Sequence, residues 1–130
     1  MNSIVPTGER TRVLVADDEP QLRAVYVRQL EALGMGVVAV PGGAEAIARL
    51  DAERFDLLIL DLDMPGVSGL DVLLHAGRAA PHLPVVVVTA TEVERLDGAA
   101  AVLHKPVDLP TLRERLREVL ARRVVALPGQ

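Results

Sequence analysis

Four short apolar runs punctuate the chain, and each ends abruptly in polar residues. Val13-Leu14-Val15-Ala16 runs into Asp17-Asp18, Leu57-Leu58-Ile59-Leu60 into Asp61, Val85-Val86-Val87-Val88 into Thr89, and Ala101-Val102-Leu103 into His104-Lys105. Unbroken apolar runs of this length mark parallel strands buried on both faces. Between them the apolar positions change to helical spacing: Leu22, Val25, Tyr26, Leu30 and Leu33 follow Pro20 and stop at Gly34. Ala46, Ile47 and Leu50 line a second helix over 44–53, and Leu70, Val72, Leu73 and Leu74 open a third that runs to about Ala79. Leu109, Leu112, Leu116, Val119 and Leu120 form the buried stripe of the last helix, with Asp108 as its N-cap and Pro110 in its first turn.

Strands are therefore expected at 12–17, 37–40, 55–61, 84–89 and from Ala101 onward. The interval 90–100 leaves room for only a short helix. Alternating strands and helices require right-handed crossovers and a parallel sheet covered on both faces. The expected fold is α/β: a doubly wound sheet of five strands in the order 2-1-3-4-5, with the fourth helix shortened or missing. Ligands of such sheets bind beyond the carboxyl ends of the strands, where the strand order reverses. That switch, between the first and third strands, brings Asp17-Asp18 beside Asp61.

Composition narrows the reading. The 130 residues suit one domain over 12–122, with a loose head at 1–11 and a tail or truncated linker at 123–130. Tyr26 and Phe55 are the only aromatic residues, so the core is built from Val, Leu, Ile and Ala. The net charge of −4 gives this domain no electrostatic reason to bind nucleic acid. Without cysteine there is no thiolate nucleophile and no disulfide, so the chemistry rests on oxygen and nitrogen. No apolar stretch approaches the roughly 18 residues of a membrane helix, and 1–12 lacks the apolar core of a secretory signal. A cytoplasmic setting, with no membrane partner, is the default.

Three neighbouring aspartates repel one another, which raises their pKa values or recruits a cation. Oxygen ligands at a shallow crevice suit Mg²⁺, which keeps several waters and takes one or two carboxylates together with phosphate oxygens. Asp18 and Asp61 are the candidate direct ligands, Asp17 acts through water, and the backbone carbonyl of Asp63 completes the set. A carboxylate can also attack phosphorus to give an aspartyl phosphate when the transferring charge is neutralised. Lys105 and Thr89 fit that task, one as a counter-charge and one as a hydrogen-bond donor. Thirteen of the fourteen basic residues are arginine and Lys105 is the single lysine, which singles out a compact point charge where a planar guanidinium would not fit. Pro106 follows directly, and a cis Lys105-Pro106 bond would turn the chain sharply at the strand end.

With these residues in hand, the chain resembles a two-component response-regulator receiver domain from about Arg12 to Arg122. The motifs are Val13-Leu14-Val15-Ala16-Asp17-Asp18-Glu19-Pro20, Asp61-Leu62-Asp63-Met64-Pro65-Gly66-Val67-Ser68-Gly69, Thr89-Ala90 and Lys105-Pro106. The resemblance implies a flavodoxin-like fold, with Asp61 as acceptor of a phosphoryl group from a histidine kinase or histidine phosphotransfer domain. It also implies Mg²⁺ on Asp17, Asp18, Asp61 and the Asp63 carbonyl, with Thr89 and Lys105 as switch residues. Such a module is not an enzyme beyond its own phosphorylation and dephosphorylation. It signals by changed binding to an output domain or downstream protein, and a homodimer is an open arrangement.

Two positions depart from the family. Val102 stands three residues before the lysine, where the family usually has an aromatic that rotates inward, and only fifteen residues separate Thr89 from Lys105. Asp63 and Thr91 occupy the two variable positions that flank the phosphoryl site.

Blander readings compete. Asp17-Asp18 alone is equally a helix cap, Asp71, Asp97 and Asp108 read as capping or solvated residues, and His75, His82 and His104 lack metal-ligand spacing. The arginines 113, 115, 117, 122 and 123 read as a solvated face. As whole functions, a pseudo-receiver that is never phosphorylated is the main alternative, kept open by Val102 and the short fourth helix. The Asp61-Leu62-Asp63 spacing is shared with haloacid-dehalogenase-like phosphatases, but this chain has Pro65 where a threonine or valine is expected soon after, and carries the motif on the third strand instead of the first. A flavodoxin would need a phosphate cradle where Asp17-Asp18 stands.

Overall fold

The computed structural model describes residues 10–126, with side chains to Arg122. Five strands, β1 (Arg12–Ala16), β2 (Gly36–Val40), β3 (Leu57–Asp61), β4 (Val85–Thr89) and β5 (Ala101–His104), alternate with four helices. The helices are α1 (Pro20–Ala32), α2 (Gly43–Ala52), α3 (Gly69–Ala79) and α4 (Leu109–Ala126). All pairings are parallel, as the alternation predicts, and the order is the expected doubly wound β2-β1-β3-β4-β5. The remainder of the expected head, 1–9, and of the tail, 127–130, lies outside the described residues. Arg10 and Thr11 are tied to the sheet: Arg10 donates to the Met35 carbonyl at 2.9 Å, and the Thr11 carbonyl accepts from Gly36 N–H at 2.8 Å.

The apolar runs divide by the two-residue period of a strand. Val13, Val15, Leu57, Ile59, Val86, Val88, Ala101 and Leu103 pack with Tyr26 and Leu30 of α1 and Leu112, Leu116, Val119 and Leu120 of α4. Leu14, Ala16, Leu58, Leu60, Val85 and Val87 pack the other way, with Ala46 and Leu50 of α2 and Val72, Leu73 and Ala76 of α3. β3 and β4 are buried at every residue, whereas β2, at the sheet edge, is only partly covered.

The interval 90–100 contains no helix, so of the two expected outcomes the fourth helix is missing. Leu96 and Ala99 pack on the sheet in its place, and His104 Nε2 lies 2.7 Å from the Val93 carbonyl, pinning the segment to β5. The periodicity of α3 misleads in one respect. Val72 and Leu73 are buried, but Leu70 is 49% exposed and Leu74 60%, since no helix follows β4 to cover them.

Gly69 fixes how closely α3 approaches the end of β3. A Cβ there would lie 2.5 Å from Leu62 Cα and 2.7 Å from the Asp61 carbonyl oxygen, both backbone atoms that cannot swing aside. Gly69→Ala is therefore expected to destabilise the fold by about 2 kcal/mol, measured by urea denaturation. An unchanged midpoint would show that the turn relaxes without cost.

Candidate functional site

Strand register and parity assemble the site. Ala16 pairs with Leu60, so Asp17 and Asp61 emerge side by side from adjacent strands. Thr89 pairs with His104, which places Lys105 one step beyond. Asp17, Asp61 and Lys105 continue the odd-numbered positions that face α1 and α4. Thr89 continues Val85 and Val87 toward α2 and α3.

Asp17 is 1% exposed and Asp61 2%. Carboxylate oxygens of Asp17, Asp18 and Asp61 come within 4.8 Å of one another, with Asp18 at the solvent edge. One oxygen of each buried carboxylate is engaged: Asp17 Oδ1 accepts from Glu19 N–H at 2.8 Å, and Asp61 Oδ1 from Asp63 N–H at 2.9 Å and Lys105 Nζ at 3.1 Å. The other oxygen of each, Oδ2, is buried without a partner. An orphaned buried acceptor costs on the order of 1–3 kcal/mol, more when charged. Two of them on carboxylates of one close cluster fit a cation better than any packing role. The capping alternative fails, because the N-cap of α1 is Glu19 and makes no side-chain cap bond.

The electrostatics point the same way. Burial pushes the Asp17 carboxyl up to about 6 against the bond from Glu19, with Asp61 adding to the rise. Burial likewise raises Asp61, although its bonds from Asp63 and Lys105 oppose it. Tyr26, buried on α1, is pushed up to about 12, first by burial and then by the negative potential of Asp17, Asp61 and Glu19. Burial alone would lower Lys105, but its hydrogen bond to Asp61 and the pull of Asp61, Asp17 and Asp63 outweigh that and raise it. Its Nζ also lies 3.9 Å from Glu19 Oε1 and 3.9 Å from Asp63 Oδ2. One ammonium thus serves a site with several carboxylates, and a divalent cation would balance the rest.

The Lys105-Pro106 bond is cis, as expected. Asp108 caps α4, its Oδ1 accepting from Thr111 N–H at 2.7 Å, and hydrogen bonding from the Thr111 hydroxyl first, then from that N–H, lowers its pKa. Asp71 forms a capping box with Ser68 at α3. His75 Nε2 lies 2.7 Å from Asp51 Oδ1, joining α3 to α2 away from the carboxylate cluster.

One side chain escaped the sequence reading. Asp63 entered it as a backbone-carbonyl ligand and a variable flanking position, but its carboxylate bridges to the end of β4. Thr89 Oγ1 donates to Asp63 Oδ1 at 3.0 Å, and Ala90 N–H to Asp63 Oδ2 at 2.9 Å. The contact spans 26 residues, and no local spacing signals it.

This sheet order, with acids at its first and third strand ends and a lysine after the fifth, defines a response regulator receiver domain. The response regulator receiver domain family matches residues 13–117, and the chain belongs to it. Among curated proteins it is 34% identical over 123 residues to the transcriptional regulatory protein TcrA of Mycobacterium tuberculosis, covering 90% of this chain and 49% of that protein. The chain thus spans about half the length of the curated relatives it matches. Among solved structures, the response regulator TrrA of Thermotoga maritima in complex with Mg(2+)-BeF superposes with a TM-score of 0.78 at 30% identity, over 85% of this chain and 99% of that one. A chain from the complex of histidine kinase ThkA with TrrA gives 0.76, also at 30%, over 85% and 98%. No described helix is long and apolar enough to cross a membrane.

Proposed function

We propose that this domain accepts a phosphoryl group on Asp61 from the phosphohistidine of a histidine kinase or histidine phosphotransfer domain, in a Mg²⁺-dependent reaction, and that the modified domain changes its binding to an output domain or downstream protein. The observation that carries this reading is the pair of buried, unpartnered oxygens on Asp17 and Asp61 beside the ammonium of Lys105. Asp17, Asp18 and Asp61 would hold the ion, with the Asp63 carbonyl completing the protein's share. Bound there, Mg²⁺ would neutralise the acidic cluster and the charge on the incoming phosphoryl oxygens.

The chain's own groups do the rest. An Asp61 oxygen attacks phosphorus as the bond from phosphorus to the histidine nitrogen breaks, and the imidazole leaves with that electron pair. Lys105, held 3.1 Å from Asp61 before reaction, turns to a phosphoryl oxygen as the carboxylate loses its charge. Thr89, buried at the end of β4, offers its hydroxyl to another. Similarity to a TrrA structure with Mg(2+)-BeF and to one with a histidine kinase supports both the metal and the donor class.

Incubating the protein with acetyl phosphate, with and without Mg²⁺, tests the reading by intact mass. One added phosphoryl group that needs the metal is the expected result. No uptake under either condition would favour a pseudo-receiver, and steady turnover of small phosphate esters a phosphatase.

A further inference from the structure

Thr89 and Ala90 form a pair of donors at the mouth of the site, and both are already in use. The Thr89 hydroxyl donates to one Asp63 oxygen at 3.0 Å and the Ala90 N–H to the other at 2.9 Å, while Lys105 Nζ stands 3.9 Å from the second. Thr89 is fully buried and its oxygen also accepts from Thr91 N–H at 3.0 Å, so the hydroxyl has no spare proton to offer. A carboxylate and a phosphoryl group ask the same of these donors, namely a charged terminal oxygen for each. Asp63 has about a third of its side-chain surface exposed and lies on a turn-rich loop, so it is free to leave.

We infer that the Asp63 carboxylate is a resident competitor for the phosphoryl seat, holding Thr89 Oγ1 and Ala90 N–H in the unmodified domain and yielding them when Asp61 is phosphorylated. The inference rests on Asp61 being the acceptor. Its consequence is a brake: part of the binding energy of the phosphoryl oxygens is spent displacing Asp63. The bridge also ties the loop after β3 to the end of β4, so its release frees both segments at the moment of modification. This domain has no aromatic at position 102 and no helix between β4 and β5, and loss of the bridge gives it a local change that a partner can read.

Binding of beryllium fluoride in the presence of Mg²⁺, followed by calorimetry on wild type, Asp63→Ala, Asp63→Asn and Asp61→Asn, tests this. Removing the competitor is expected to tighten binding about tenfold in Asp63→Ala. Asp63→Asn should fall between, since its amide oxygen still accepts from Ala90 N–H. In the unloaded protein the Ala90 amide proton resonance should move upfield in Asp63→Ala as its carboxylate acceptor is lost. Equal tightening in both variants that vanishes at high salt would mean simple charge repulsion and overturn the inference. Unchanged or weaker binding in Asp63→Ala would overturn it too. Wild type that binds no beryllium fluoride, or binds it as well in Asp61→Asn, would instead refute the acceptor assignment itself.

Discussion

Asp61→Asn is expected to take up no phosphoryl group from acetyl phosphate at any Mg²⁺ concentration, while folding as well as wild type or better. The two halves of that result have one cause. Asp61 is 2% exposed, with one oxygen unpartnered, and burial raises its pKa, so its charge is held in the fold at a cost. An amide of the same shape keeps the oxygen that accepts from Asp63 N–H and Lys105. It removes the charge and cannot act as an oxygen nucleophile of comparable strength. Lys105→Met gives the complementary case. Asp61 keeps its carboxyl but loses its nearest counter-charge, so its pKa should rise further and uptake should fall by about a hundredfold or more, in line with losing one electrostatic clamp. Intact mass and a urea melt on each variant separate the effects. Residual uptake in Asp61→Asn, at a rate near wild type, would place the acceptor elsewhere.

Asp17→Asn should change stability and metal response in opposite directions. The folded protein holds the Asp17 proton up to about pH 6, whereas the unfolded chain releases it near 3.8. Between those values the folded state binds more protons, so this group makes metal-free stability fall as pH rises from about 4 to 6, and the penalty is complete above that. The penalty is on the order of 3 kcal/mol. Asp17→Asn removes it, and its Oδ1 can still accept from Glu19 N–H. In EDTA at pH 7.5 the variant should therefore be the more stable, and the fall between pH 4 and 6 should be smaller than in wild type. Added Mg²⁺ should reverse the ranking, because only wild type offers the full carboxylate set and gains stability from binding. A variant no more stable than wild type in EDTA, or one that gains equally from Mg²⁺, would contradict this account of the cluster.

Much of this was legible in the sequence because strands impose strict parity. Once the runs before Asp17 and Asp61 are parallel neighbours, and the run before Lys105 lies two strands away in the same sheet, side chains of the same parity must emerge on one face at its carboxyl edge. The cis bond before Pro106 and the Asp108 cap are local chemistry, readable from dipeptides and spacing. What stayed hidden depends on distant absences and encounters. Leu70 and Leu74 satisfy a helical period, but whether they are covered depends on an element after β4 that is not there. The Asp63 bridge joins two loops whose approach is set by the whole sheet, and His104 holding Val93 is of the same kind. In each case a side chain's partner is fixed by the sheet's assembly, which local spacing does not encode.

Asp17, Asp18 and Asp61 are proposed to hold a divalent ion next to the oxygen that takes the phosphoryl group. A crystal structure of the protein loaded with Mg²⁺ and beryllium fluoride tests this most directly. The metal is expected among those three carboxylates, the beryllium on an Asp61 oxygen, and Lys105 and Thr89 on its fluorines. An ion bound elsewhere, or beryllium fluoride absent from Asp61, would contradict it.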